Sequence, residues 1–140
     1  MIKLRLLTEN DLSFLLEIRN DESTRQFLEN DSVFTLKESL KWFRQNKPGW
    51  FIIEINRIPV GYIRTNGDEV GCDIHPNFRK KGYAKMAYEV YLKGKSYASL
   101  WVFEENFAKD LYVKLGFIVN GKSKLIRNRN YIQMEYKIEK

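Results

Sequence analysis

"EVGCDIHPNFRKKGYAKMAYEV", residues 69–90, decides how this 140-residue chain is read. A run with strand character, Glu69 to Ile74, ends at His75-Pro76, where proline halts ladder pairing and the backbone must turn. The basic residues Arg79, Lys80 and Lys81 follow, and Gly82 opens a helix that reaches about Lys93 and stops at Gly94. The start of a helix leaves about four N–H groups unpaired and carries roughly half a positive charge. Where the chain enters through small residues, here Gly82 and Ala84, those N–H groups can reach a phosphate directly. Arg79, Lys80, Lys81 and Lys85 surround the spot with positive charge. Neither G-x-G-x-x-G nor G-x-x-x-x-G-K-[ST] is present, which argues against dinucleotide-binding and P-loop folds. Local features alone leave an anion site and a plain basic turn both open.

Upstream, "GWFIIEIN" and "RIPVGYIRTN", residues 49–66, read as a hairpin turning at Asn56-Arg57, and "GDEVGCDI" follows as a third strand after an Asn66-Gly67 turn. Earlier still, "IKLRLL" reads as a strand and "TENDLSFLLEIRND" as a helix capped by Thr8, with Leu12, Leu15, Leu16 and Arg19 on one face. "FTLKESLKWFRQN" is a second helix with a Thr35–Glu38 capping box and an apolar stripe of Leu36, Leu40 and Phe43. Downstream come a strand, "YASLWVFEE", a helix, "FAKDLYVKLG", closed by Gly116, and two alternating strands, "FIVNGK" and "RNYIQMEYKI". The order predicts an α/β (α+β) fold with a mixed, mostly antiparallel central sheet of about seven strands and about four helices on its faces. No repeat, linker or composition shift divides the chain, so a single domain over 1–140 is expected.

Composition narrows the function. The chain is 44% hydrophobic and 14% aromatic, enough for a packed core. One cysteine, Cys72, and one histidine, His75, provide neither a disulfide nor a zinc site, so no metal is expected and a reducing compartment fits. The N-terminus lacks a sustained apolar segment, and the longest apolar runs fall far short of the ~20 residues that span a bilayer. A cytoplasmic protein without membrane attachment is expected. The net charge of +6 is scattered, with local clusters at 79–81 and in "KSKLIRNRN", and is read mostly as solvated surface rather than a nucleic-acid footprint.

The run Arg79-Lys80-Lys81-Gly82-Tyr83-Ala84 matches [QR]-x-x-G-x-[GA], and "SLWVF" followed by "EENFAKDLYVKLGF" supplies a strand, an Asn and a helix ending L-Y-x-K-L-G-F. In this order the two motifs resemble those of the GNAT family of acyl-CoA N-acyltransferases, and the resemblance covers most of the chain. "IRND" and "SLKWF" are similar, more weakly, to the front half of family enzymes that acetylate amino sugars or nucleotide-linked amino sugars.

The resemblance implies a sheet splayed between its fourth and fifth strands, with acetyl-CoA as co-substrate. Backbone amides of Lys80, Lys81, Gly82, Tyr83 and Ala84 would hold the pyrophosphate, with Arg79 and Lys85 adding charge. The strand through Asp73, Ile74 and His75 would part from the one through Leu100 to Phe103 and admit the pantetheine arm. Asn106 would contact pantetheine and Tyr112 would face the thioester sulfur. Tyr112 follows Asn106 one residue sooner than the family pattern, so either Asn106 keeps its place on a shortened loop or Glu105 fills it.

The implied reaction is direct transfer of an acetyl group to a neutral primary amine, with Tyr112 as general acid for the leaving thiolate and a backbone N–H near Ile74 as oxyanion donor. Asp73, Glu54 and Glu104 are the candidate bases. His75 is read as capping its turn, and Cys72 as a buried strand residue without a partnered base. The acceptor expected is a small-molecule amine, an amino sugar first, with the protein a monomer or homodimer. A protein N-terminal or lysine acetyltransferase, or a non-catalytic coenzyme A- or nucleic-acid-binding module, are the alternatives.

Overall fold

A computed structural model describes residues 1–138. Seven strands form one sheet: β1 Ile2–Leu6, β2 Phe51–Ile55, β3 Ile58–Asn66, β4 Glu69–Ile74, β5 Tyr97–Phe103, β6 Ile118–Ile126 and β7 Arg129–Lys137, in spatial order β1-β2-β3-β4-β5-β7-β6. Every neighbouring pair is antiparallel except β4–β5, which is parallel. The helices are α1 Leu12–Arg19, α2 Glu22–Arg25, α3 Leu36–Asn46, α4 Tyr83–Leu92 and α5 Ala108–Leu115.

Turn chemistry sets the meander. Asn56 and Arg57 both take positive φ, 51° and 71°, as a two-residue hairpin loop matched to strand twist requires. The next turn lies one residue later than the sequence suggests. Asn66 stays in the ladder opposite Glu69, and Gly67, at φ 61°, begins the turn with Asp68. This register places Arg64 opposite Gly71 and Tyr62 opposite Asp73.

Helices cover both faces. On one, Leu12, Leu15 and Ile18 of α1 pack with Ile52 and Tyr62, and α3 adds Leu40, Trp42 and Phe43. Leu36, expected in that stripe, is 45% exposed, because the helix turns Ser39 inward. The Thr35–Glu38 capping box forms as anticipated. At the head of α1, Thr8 donates its backbone N–H and its hydroxyl to Asp11, at 2.8 and 3.0 Å, over a single 3₁₀ turn. Trp42 and Trp50 meet edge to face, and Trp50 stacks on buried Tyr62, so these rings serve the core.

On the opposite face, Ala87, Tyr88 and Leu92 of α4 pack on Ile53, Ile63, Leu100 and Val102, with Leu111, Tyr112 and Leu115 of α5 alongside. Burying a side chain of this size contributes about 1.5–3 kcal/mol. Gly116 ends α5 with φ 102°. β6 runs four residues past the predicted "FIVNGK", to Ile126, because a register shift between Val119 and Ser123 absorbs Gly121 and lets pairing resume. Among the described residues, no helix is long and apolar enough to cross a membrane.

Candidate active site

β4 and β5 touch at one register pair, Glu69 opposite Ser99, with the Ser99 N–H donating to the Asp68 carbonyl at 2.9 Å. Beyond it β5 remains fully paired to β7, and β4 to β3, while the two facing edges separate. The opening is a cavity of about 410 Å³ that passes through the sheet. From one face it is lined by Cys72, Val102, Leu111 and Tyr112, and from the other by Arg64, Asp73, Trp101 and Tyr131.

The turn into α4 forms one mouth of this cavity. Lys80 and Gly82 both lie in the left-handed region, at φ 63° and 79°. This bends the backbone into a concave loop, the kind of nest that suits an anion. Met86 closes the first α4 bond by donating to the Gly82 carbonyl. Among the described residues, no carbonyl or side chain accepts from the preceding N–H groups of Gly82, Tyr83, Ala84 and Lys85. A Cβ built on Gly82 would meet nothing within 4 Å, so the space above the turn is open. Unpaired donors, open space and a lysine-rich rim fit a diphosphate.

Of the residues selected from sequence, Asp73, Ile74, Arg79, Lys80, Gly82, Tyr83, Ala84, Lys85, Asn106 and Tyr112 all line the cavity. Asn106, not Glu105, faces it, and the Asn106 Oδ1 accepts from the Ala108 N–H at 2.9 Å at the start of α5. Glu105 instead pairs with Arg129.

Other expectations are corrected. Arg79 reaches back into the fold, donating to the Ile74 carbonyl at 3.0 Å and to the hydroxyls of Ser23 and Thr24 on α2, so its guanidinium serves the fold more than the nest. Lys81 lies outside the cavity lining. His75 also lies outside: its Nδ1 accepts from the Asn77 N–H, its Nε2 lies 3.2 Å from Glu17, and its ring stacks on Phe14. That is the turn-capping role. Glu54 is held at 2.7 Å by Arg5, which also grips Asp11, and does not reach the cavity. Glu104 sits in the exposed turn after β5 and is likewise absent from the lining.

Electrostatics single out a few groups. Burial pushes the Tyr112 hydroxyl up to about 12, with Cys72 and Asp73 adding to the rise and Tyr88 opposing it, so Tyr112 holds its proton at neutral pH. Burial also drives the Cys72 thiol well above its ordinary value, which leaves it an inert thiol rather than a nucleophile. Asp73 pairs with Arg64 at 3.0 Å. Burial opposes charge on Arg64, but Asp73 and nearby tyrosines outweigh it and hold the guanidinium firmly protonated. The buried hydroxyls of Tyr62, beside Asp73, and of Tyr88, beside Tyr112, lack a hydrogen bond of good geometry among the described residues.

Arg64, Trp101 and Tyr131 carry no motif that marks them in the sequence. Strand alternation could have found Trp101, because Leu100 and Val102 face α4 and leave it on the opposite face. These three residues also wall a second cavity, of about 290 Å³, bounded by Glu29, Asn30, Trp50 and Glu69. The two spaces meet where the strands part. One side offers donors for a diphosphate, the other aromatic rings and carboxylates suited to an amine.

Comparison with known proteins agrees with this geometry. Residues 12–117 match the model of the Acetyltransferase (GNAT) family. The peptidyl-lysine N-acetyltransferase YjaB of Salmonella typhimurium is 30% identical over 129 residues, covering 89% of each chain. The spermidine N-acetyltransferase of Vibrio cholerae, solved with CoA and spermine, superposes with a TM-score of 0.88 at 19% identity over 97% of this chain and 95% of that one. The Salmonella typhimurium protein yncA, solved with its cofactor acetyl-CoA, superposes with a TM-score of 0.77 at 19% identity, covering 100% and 95% of the two chains. At these identities the structural likenesses speak for the fold.

Proposed function

The chain belongs to the acetyltransferase (GNAT) family, and from that premise we propose that it transfers the acetyl group of acetyl-CoA directly to a primary amine held in the second cavity. The observation that carries this is the coincidence on one cavity of three features: the unpaired edge of β4, the unpaired N–H groups opening α4, and the protonated hydroxyl of Tyr112.

Each part has a task. The amides of Lys80, Gly82, Tyr83, Ala84 and Lys85, with the Lys80 and Lys85 side chains at the rim, take the diphosphate of the donor. The free edge of β4 pairs with the pantetheine amides as a missing strand would, and Asn106 contacts the same arm. A backbone N–H near Ile74 polarises the thioester carbonyl. Tyr112 gives its proton to the departing thiolate, a contribution typically worth about 10²–10⁴-fold. Asp73 is the carboxylate that lines this cavity and receives the proton of the attacking amine. The donor-rich, reducing cytoplasm is the compartment that suits this chemistry and a free Cys72.

The acceptor is a small amine. An amino sugar, the first candidate from sequence, would stack on Trp101 and Tyr131. A flexible alkylamine is the second, favoured by the carboxylates Glu29 and Glu69 beside those rings and by the spermine bound to the Vibrio cholerae enzyme. A panel of hexosamines, diamines and lysine peptides, read by thiol release from acetyl-CoA, tests the proposal. Turnover with at least one primary amine is expected. Tight coenzyme A binding without any thiol release would make the chain a coenzyme-binding module instead.

A further inference from the structure

Three residues that wall the second cavity, Trp101, Tyr131 and Glu29, already hold a cation. Trp101 and Tyr131 stack with ring centroids 5.5 Å apart and planes at 16°, forming the aromatic floor of this site. The ammonium of Lys124, on β6, lies 4.5 Å from the Trp101 centroid and 5.7 Å from that of Tyr131, and its Nζ is 2.8 Å from the Glu29 carboxylate. Two ring faces and a carboxylate converging on one ammonium are the elements of an alkylammonium site.

The wall opposite the floor does not depend on Lys124. Arg127 donates to the carbonyls of Glu29 and Leu28 at 2.9 and 2.8 Å, and Arg129 donates to the Gln26 carbonyl, so the β6–β7 hairpin fixes the loop that carries Glu29 through other contacts. Lys124 and Glu29 are 42% and 52% exposed at their side chains, and an exposed pair of this kind is held only weakly. Lys124 can therefore leave while the site stays built.

Resting on the acetyl-transfer reading above, we propose that Trp101, Tyr131 and Glu29 form a subsite for a second ammonium group of the acceptor, and that Lys124 occupies it until that group displaces it. The rings reach the first cavity as well, so a chain seated on them leads toward Asp73 and Tyr112. The substrate class is a linear amine with two cationic ends: one end loses its proton and reacts, and the other stays charged on the rings. An amine with a single basic group gains no such anchor.

Calorimetric titration of the coenzyme A complex with 1,5-diaminopentane, and with pentan-1-ol as a chargeless control of equal length, tests this. Lys124→Ala is expected to bind the diamine about tenfold more tightly than the parent chain, with the alcohol unaffected. Lys124→Arg, which keeps a cation over the rings, is expected to restore the parent affinity. Lys122→Ala, which removes the same charge from the same hairpin, is expected to change it less than twofold. Adding Trp101→Leu to Lys124→Ala is expected to abolish the gain. Equal diamine affinity in Lys124→Ala and the parent, or an equal gain from Lys122→Ala, overturns the subsite. Thiol release measured on the same proteins separates the two claims. Turnover of amines with a diamine affinity indifferent to Lys124 removes the subsite alone. A diamine affinity that responds to Lys124 without any turnover removes acetyl transfer alone.

Discussion

Tyr88 and Tyr112 meet edge to face, their ring centroids 5.6 Å apart and their planes at 80°, with the buried Tyr88 hydroxyl beside the hydroxyl proposed as proton donor. Phe117 closes the same cluster, 6.1 Å from Tyr112. The arrangement fixes the ring of Tyr112 by packing on the wall of the cavity.

Tyr112→Phe keeps the packing and removes the proton. It is expected to lower kcat at least tenfold while the coenzyme A dissociation constant stays within about twofold, measured by steady-state kinetics and calorimetry. Tyr88→Phe keeps the edge-to-face packing and is expected to leave the stability of the fold within about 1 kcal/mol of the parent. Equal turnover in Tyr112→Phe and the parent across the pH range would remove Tyr112 from the chemistry.

Alkaline stability follows from the same tyrosines. Burial raises Tyr112 and Tyr131 to about 12 from an ordinary 10.0. Below pH 10 both the folded and unfolded chains hold these protons, so no pH dependence arises from them. Between pH 10 and about 12 the unfolded chain ionises first, and stability falls by roughly 1.4 kcal/mol per pH unit for each such group. Urea denaturation at pH 9, 10.5 and 11.5 is expected to show this decline, with a shallower slope in Tyr112→Phe.

Gly82→Val tests the anion nest. A side chain at φ 79° is strained by about 1–2 kcal/mol, yet its Cβ would meet no protein atom within 4 Å. Folding is therefore expected to survive with a melting temperature lowered by several degrees, while coenzyme A affinity falls at least tenfold. Unchanged affinity in calorimetry would place the diphosphate elsewhere.

Gly61 and Gly71 lie on facing strands of the same hairpin and should respond differently to alanine. At Gly61 a Cβ would stand 2.5 Å from the Asp73 carbonyl oxygen, which is backbone, so Gly61→Ala must push β3 from β4 and is expected to cost about 1–3 kcal/mol. At Gly71 the Cβ would meet the end of the Arg64 side chain, which can swing aside. Gly71→Ala is expected to fold nearly normally but to loosen the Arg64–Asp73 pair and reduce turnover. Thermal melts alongside kinetics distinguish the two.

Much of the fold was legible because local chemistry wrote it. The Asn56-Arg57 turn, the Thr35–Glu38 box and the Gly116 stop each rest on residues a few positions apart. The two motifs in order led to the family, and the structure turns Asn106 to the cavity and Glu105 to Arg129. What the sequence hid lies in long-range pairing. Arg79 looks like a phosphate ligand until its partners on α2, more than fifty residues earlier, are known. Glu54 looks available until Arg5 is seen across the β1–β2 ladder. The Gly121 irregularity concealed half of β6, and with it the position from which Lys124 reaches the rings.

The strand met last along the chain, β7, lies inside the sheet, between β5 and β6. Its Tyr131 floors the acceptor space, and Arg129 and Arg127, at the turn that opens it, fasten a loop about a hundred residues upstream. The N-terminal half therefore waits for the C-terminal strand before either substrate has a complete place to bind. The gap beside β5 stays a raw edge until β7 pairs with it, so completion of the acceptor wall depends on strand pairing across the sheet rather than on the formation of any helix.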